Sequence, residues 1–350
     1  MLRAETLLLP LDAVREAALR LLARLLGPER VRPLLTQPDL RVAIGGSLSI
    51  GAALGMTLYC PLLLLAVSPL VLGVPHLLAD VRYLVAQPGY HRRLRLALPV
   101  GVALATAALG LGMRAGLIAM AAALVLSGRG SGSGRLVLLR RGVGLGLVAA
   151  AAIFGLCTDW YWLELGLAHV HNFVAILLFY LWRPRTRALH LWPLALFALG
   201  GAALMAGLVP LGATALGGFA GHETLSADGQ RAWLAPGLGT DWATRLVLLF
   251  AFAQAVHYTV WLRLIPEEAR ERPAPRPFRA SLRALHRDLG APLLLLATAV
   301  GVALAAWGTV ELSAARMGYF QVAAFHGYLE LCVLGVWWVE GRPARLADRG

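Results

Sequence analysis

Residues 42–67 read VAIGGSLSIGAALGMTLYCPLLLLAV, 26 positions without one charged side chain. A helix needs about 20 apolar residues to cross roughly 30 Å of hydrocarbon, so the stretch reads as a bilayer-spanning helix. Comparable segments recur at 70–85, 96–112, 115–126, 136–156, 160–182, 189–211, 243–264, 291–310 and 318–339. The expected fold is all-α, a polytopic transmembrane helical bundle of about ten spans. Composition agrees: 59% hydrophobic and only 15% charged residues, with mean hydropathy +0.69, leave too little polar surface for a soluble domain of 350 residues.

Arginine supplies all the positive charge, and its placement orders the spans. Every second connection is rich in it: Arg92, Arg93 and Arg95; Arg129, Arg135, Arg140 and Arg141; Arg183, Arg185 and Arg187; the run from Arg263 to Arg287; and Arg342, Arg345 and Arg349. The intervening connections carry Asp159, Glu223, Asp228, Asp241 and Glu311, with Arg114, Arg231 and Arg316 isolated. Cytoplasmic loops hold the excess of arginine, so both termini are expected in the cytoplasm. The expected location is an integral, multi-pass position in a bacterial inner membrane. A net charge of +13 does not indicate nucleic acid, because the arginines lie in short runs and form no continuous basic face.

Residues 1–40 scatter arginines among leucines without a compact apolar core or cleavage site, as expected of an amphipathic segment on the membrane surface. Residues 41–340 form the transmembrane domain and 341–350 a cytoplasmic tail. Two longer connections, 212–241 and 266–290, read as surface loops with short helices, and no internal repeat is visible. Cys60, Cys157 and Cys332 are too scattered for a disulfide framework or thiolate zinc site and read as small buried apolar side chains.

Ionisable residues at membrane depth are costly and point to function or to a specific partner. Four expected helices carry histidine there: His76 with Asp80, His169 with His171, His257, and His326 with Glu330. From helical rise, His76, Asp80, His169, His171 and His326 fall about 9 to 17 Å below the outer boundary, and His257 about 20 Å. His76 and Asp80 are four apart, as are His326 and Glu330, so each pair shares a helix face, and Tyr83 continues the first of these faces. His169 and His171 diverge, so one heads the shared layer while the other pairs with Glu164 or a neighbouring helix. Pro75 either bends the helix beside His76 or marks its start.

A lone histidine is ordinarily a hydrogen-bonding residue of helix packing. Four helices bringing histidine to one layer instead point to a metal, and imidazole with carboxylate suits iron or zinc. His91, His190 and His286 read as interfacial, and His222 with Glu223 sits in the long outer loop. Trp160, Tyr161, Trp162, Trp182, Trp242 and Trp337, near helix ends, read as interfacial belts.

The stretch LGVPHLLADVRYLV, residues 72–85, resembles a histidine motif of the Brp/Blh membrane family of β-carotene-cleaving dioxygenases. Gly73, Pro75, His76 and Asp80 carry the resemblance, which covers about one helix; Leu77 and Val81 stand where that family has Gly and His. It implies histidine-ligated iron and oxidative cleavage of a carotenoid. The expected function is thus a membrane-embedded, non-haem iron oxygenase for a lipophilic substrate reached through membrane lipids. His76, His257, His326 and one of His169 or His171 would hold the metal. Asp80 and Glu330 would orient imidazoles or accept protons, and Tyr83 or Tyr258 would line the substrate path. The same residues would also serve a proton-coupled transporter, and two facing imidazoles would serve a haem.

Overall fold

The computed structural model describes residues 5–128, 133–182, 188–207, 225–270 and 274–343. Among these the chain is helical throughout, with no strand. Two amphipathic helices, α1 (Leu9–Leu26) and α2 (Pro28–Thr36), precede α3 (Pro38–Tyr59) and α4 (Pro61–Asp80). Next come α5 (Leu94–Thr106), α6 (Gly112–Leu126), α7 (Gly134–Cys157), α8 (Trp160–Trp182) and α9 (Leu191–Met205). The short α10 (Ala227–Leu234), then α11 (Thr240–Thr259), α12 (Phe278–Leu289), α13 (Ala291–Val310) and α14 (Leu312–Glu340) complete the order. Nine helical segments among the described residues are long and apolar enough to cross a membrane, the architecture of a multi-pass membrane protein.

The uncharged opening stretch is not one span. Helix α3 stops at Tyr59 and α4 begins at Pro61, where a missing N–H costs nothing in the first helical turn. Pro75 lies inside α4 and does not mark its start. Helix α4 continues as a π-helical turn, Val81–Ala86, and α11 does the same over Val260–Leu264.

The expected spans 96–112 and 115–126 are joined in one helical segment, Leu94–Leu126, which reverses at Gly110. Gly110 has φ +112° and Gly112 φ +47°, conformations that favour glycine. Arg93, before the first arm, donates to both Glu340 carboxylate oxygens at 2.6 and 2.9 Å, and the Gly128 amide, beyond the second arm, donates to the same carboxylate. A straight helix would hold those two residues about 50 Å apart, so α5 and α6 are the arms of a hairpin.

Helices α4, α8, α11 and α14 make the centre and run in one direction, each ending near the arginine-rich end. Helix α13 has no buried residue and α7 only Val137 and Gly155, so both present apolar side chains outward. The described chain begins and ends at the arginine-rich end, where buried ion pairs tie the elements together. Arg41 on α3 meets Glu267 at 2.6 Å, and Arg82 below α4 meets Asp288 on α12 at 2.8 Å. Helix α1 docks through Asp12, which accepts from the Phe278 amide (2.6 Å) and Arg279 Nε (3.0 Å). Its outer leucines, such as Leu21 and Leu25, stay exposed.

Several expectations fail on burial. His190, expected at the boundary, is buried with its Nε2 3.6 Å from Asp39. Trp182 and Trp337 are buried and packed on each other, whereas Trp162 and Trp242 keep the exposure expected of a belt. Cys157 is exposed and Cys60 partly so; only Cys332 is buried. His222, Glu223, Arg129, Arg183, Arg185, Arg187, Arg345 and Arg349 lie outside the described residues.

Candidate metal centre

The four central helices place their histidines at similar distances from their starts. His76, His171, His257 and His326 lie between 11 and 17 residues in, about 17 to 26 Å of helical rise. Because the helices are parallel, these offsets become one layer, and the imidazoles close into a ring. His76 contacts His257 and His326, with ring centroids 5.3 and 4.9 Å apart. His171, at the opposite corner, contacts the same two at 5.1 and 5.2 Å. His257 and His326 face each other across the ring at 5.8 Å. One nitrogen from each of His76, His257 and His326 lies within 4.8 Å of the others, close enough to share one ion.

His169 does not join. Two positions from His171, it points away, donates from Nε2 to the Leu234 carbonyl at 2.8 Å, and packs on Phe250. Glu164 is not its partner, since that carboxylate accepts from the Met113 amide of the hairpin at 3.1 Å. His171 therefore heads the layer and His169 anchors α10 over it.

Local hydrogen bonds aim the rings. His171 Nδ1 lies 2.9 Å from the Ala168 carbonyl and His326 Nδ1 bonds the Ala323 carbonyl, each in the preceding turn of its own helix. A proton on Nδ1 leaves Nε2 as the lone pair. His76 Nδ1 lies 3.5 Å from the Tyr319 hydroxyl. Tyr319 packs against Gly73, where any Cβ would stand 2.4 Å from its ring, so the glycine makes room for the tyrosine that reaches His76.

The remaining buried atoms lack partners. His76 Nε2, both ring nitrogens of His257, His326 Nε2, both Asp80 oxygens and Glu330 Oε2 have no hydrogen bond among the described residues. An unsatisfied buried polar group costs about 1–3 kcal/mol, and more if charged, so the unpartnered nitrogens of His76, His257 and His326, which approach one another within 4.8 Å, call for a shared partner. Glu330 is steadied on its other oxygen: Trp261 Nε1 donates to Oε1 at 2.8 Å, and His257 Nε2 lies 3.9 Å from that atom. Asp80, like Glu330, is fully buried.

A cavity of about 330 Å³ opens on the cluster. Its wall is mostly apolar, with Phe250, Phe320 and Tyr328 among the larger side chains, and Gln254 and Tyr258 beside the histidines. The Tyr258 ring sits 4.7 Å from that of His76. Tyr83, expected on the same path, is not there. Two turns further along the chain, it accepts from Arg82 at 3.2 Å and packs on Trp182 at the arginine-rich end.

Tyr319, Trp261, Gln254 and Asn172 belong to the site and escape a reading of the sequence. Asn172, beside His171, is fully buried with its Oδ1 unpartnered, and as a polar residue within an apolar run it carried a signal. The two aromatics look like ordinary membrane-helix residues, and only the glycine opposite Tyr319 marks it. No family model, curated protein or solved structure matches the chain.

Proposed function

We propose that the chain is a membrane-embedded metalloenzyme, a non-haem iron oxygenase acting on a lipophilic substrate. The observation that carries this reading is the ring of imidazoles whose inward nitrogens, with two adjacent carboxyl groups, lack partners in a buried layer. His76, His257 and His326 would hold the ion, with His171 as the fourth imidazole. Neutral imidazole and carboxylate without thiolate suit iron or zinc. Four rings packed edge to face at this spacing leave no slot for a macrocycle between two of them, which favours a bare ion over haem.

Ferrous iron at this position would supply dioxygen chemistry that side chains cannot. The protein's own contribution is orientation and exclusion of water. The Ala168 and Ala323 carbonyls fix the tautomers of His171 and His326, and second-sphere contacts of this kind set ligand basicity. Glu330, held by Trp261, stands next to His257 to orient the ring or take its proton. Tyr258, Tyr319 and Gln254 line the cavity as donors, while its apolar remainder fits a hydrocarbon substrate. The resemblance carried by Gly73, Pro75, His76 and Asp80 supports a carotenoid-like polyene. The arginine-rich end faces the cytoplasm in this reading.

Metal analysis with an absorption spectrum of the purified protein tests it. About one iron per chain without a Soret band is expected. A Soret band would transfer the site to haem. No bound metal, together with proton-linked solute uptake in vesicles, would replace the enzyme with a carrier.

A further inference from the structure

At the arginine-rich end, away from the histidines, two cavities adjoin. One is a polar pocket of about 400 Å³ to which Arg82, Arg92, Arg270, Arg276 and Arg287 contribute, with Asp288 the one carboxylate among its described lining residues. The other is an apolar groove of about 1050 Å³ between α4, α12 and α13, lined by side chains such as Val74, Leu78, Leu285 and Val302. Arg82, Arg270 and Arg276 line both, so the groove ends at the arginines.

Among the described residues, arginines outnumber carboxylates in the pocket. Asp288 is already engaged by Arg82 at 2.8 Å and Arg287 at 3.3 Å. Glu267, behind the pocket, is shared among Arg41, Arg263 and Arg270. Arg92 and Arg276 meet no carboxylate among the described residues. Along α13 the groove runs from Ala297 to Thr309, about 18 Å of helical rise, close to the roughly 15 Å of one bilayer leaflet. Because α13 has no buried residue, its outer faces are open to lipid.

We propose that this paired pocket and groove is a binding site for an anionic phospholipid, with the phosphate among Arg82, Arg270 and Arg276 and an acyl chain lying along α13. Arginine suits the head because its planar fork meets phosphate oxygens in pairs. The groove distinguishes a lipid from a free phosphate ion, which would use only the pocket. The site is independent of the metal reading.

Native mass spectrometry of the detergent-purified chain, titrated with dioleoyl phosphatidylglycerol or dioleoyl phosphatidylcholine, tests the proposal. Phosphatidylglycerol adducts should persist at lower lipid concentration, and Arg276→Glu should weaken them by about fivefold or more, the effect of one arginine near an anionic headgroup. Gly301→Phe, whose added Cβ has its nearest neighbour, Val74, at 3.9 Å, should place a ring in the groove and weaken the same adducts without touching an arginine. Equal binding of the two lipids by the unmodified chain would overturn the proposal. So would displacement of the lipid by millimolar inorganic phosphate with no effect of Gly301→Phe, which would leave an ion site alone.

Discussion

Two regions of this protein bury ionisable side chains, and they do so in opposite ways. At the arginine-rich end, outside the pocket of Arg92 and Arg276, arginines are paired: Arg41 donates to Glu267 at 2.7 Å and to the Leu34 carbonyl at 2.8 Å, and Arg93 grips Glu340 with both arms of its guanidinium. In the histidine layer, nitrogens of three imidazoles and three carboxyl oxygens make no hydrogen bond among the described residues. Burial alone therefore does not mark a functional site in a membrane protein. The informative feature is burial without satisfaction, because the Arg41–Glu267 and Arg93–Glu340 pairs are complete as folded and the histidine layer is not.

The sharpest way to break this contrast is His257→Leu. Both ring nitrogens of His257 are unpartnered, so leucine removes no hydrogen bond the chain makes by itself. Metal affinity should fall by more than about a hundredfold, beyond the 10–100-fold loss typical of a supporting residue. The denaturation midpoint of the metal-free protein should hardly move. A large loss of stability with metal retained would make the histidine layer a packing device.

Glu267→Ala should behave in the reverse sense. It leaves Arg41, 8% exposed, without its carboxylate, and breaking a buried pair in this way costs about 3–5 kcal/mol. Chemical denaturation in micelles should register that loss, while metal per folded chain stays unchanged.

The smallest effect concerns Asp288. Burial pushes its carboxyl up, but hydrogen bonds from Gln87 and Arg82 outweigh this and hold it below the usual range. A carboxyl lowered in the folded state stabilises above its unfolded value, about 3.9, and the contribution disappears as pH falls through the lower folded value. Amide protection factors in α12, which take the intrinsic pH dependence of exchange into account, should fall below about pH 4, and Asp288→Asn should flatten that dependence. Unchanged protection across that range would show that the pair does not hold α12 to the end of α4.

The membrane class was legible because an uncharged run such as 42–67 has one solvent it can live in. The boundary at Cys60–Pro61 was not, since proline at a helix start reads the same way within an apolar run as proline inside a helix. Histidine convergence was legible because imidazoles at corresponding depths in parallel helices must approach one another. Which of His169 and His171 faced inward depended on α10, whose Leu234 carbonyl holds His169, and no periodicity within α8 encodes that contact. Tyr83 shared a helix face with His76 but lay seven residues along, about 10 Å away, where Arg82 and Trp182 claimed it.

The carboxylate of Glu340 fastens both feet of the α5–α6 hairpin, yet it is the final residue of the last long helix. Synthesis runs from the amino end, so the hairpin enters the bilayer some two hundred residues before its clasp exists. Ala107, Gly110 and Gly112 of that hairpin wall the cavity above the histidines. A chain cut just before Glu340 would keep all four imidazoles and lose the carboxylate that ties Arg93 to Gly128 across the feet of that hairpin.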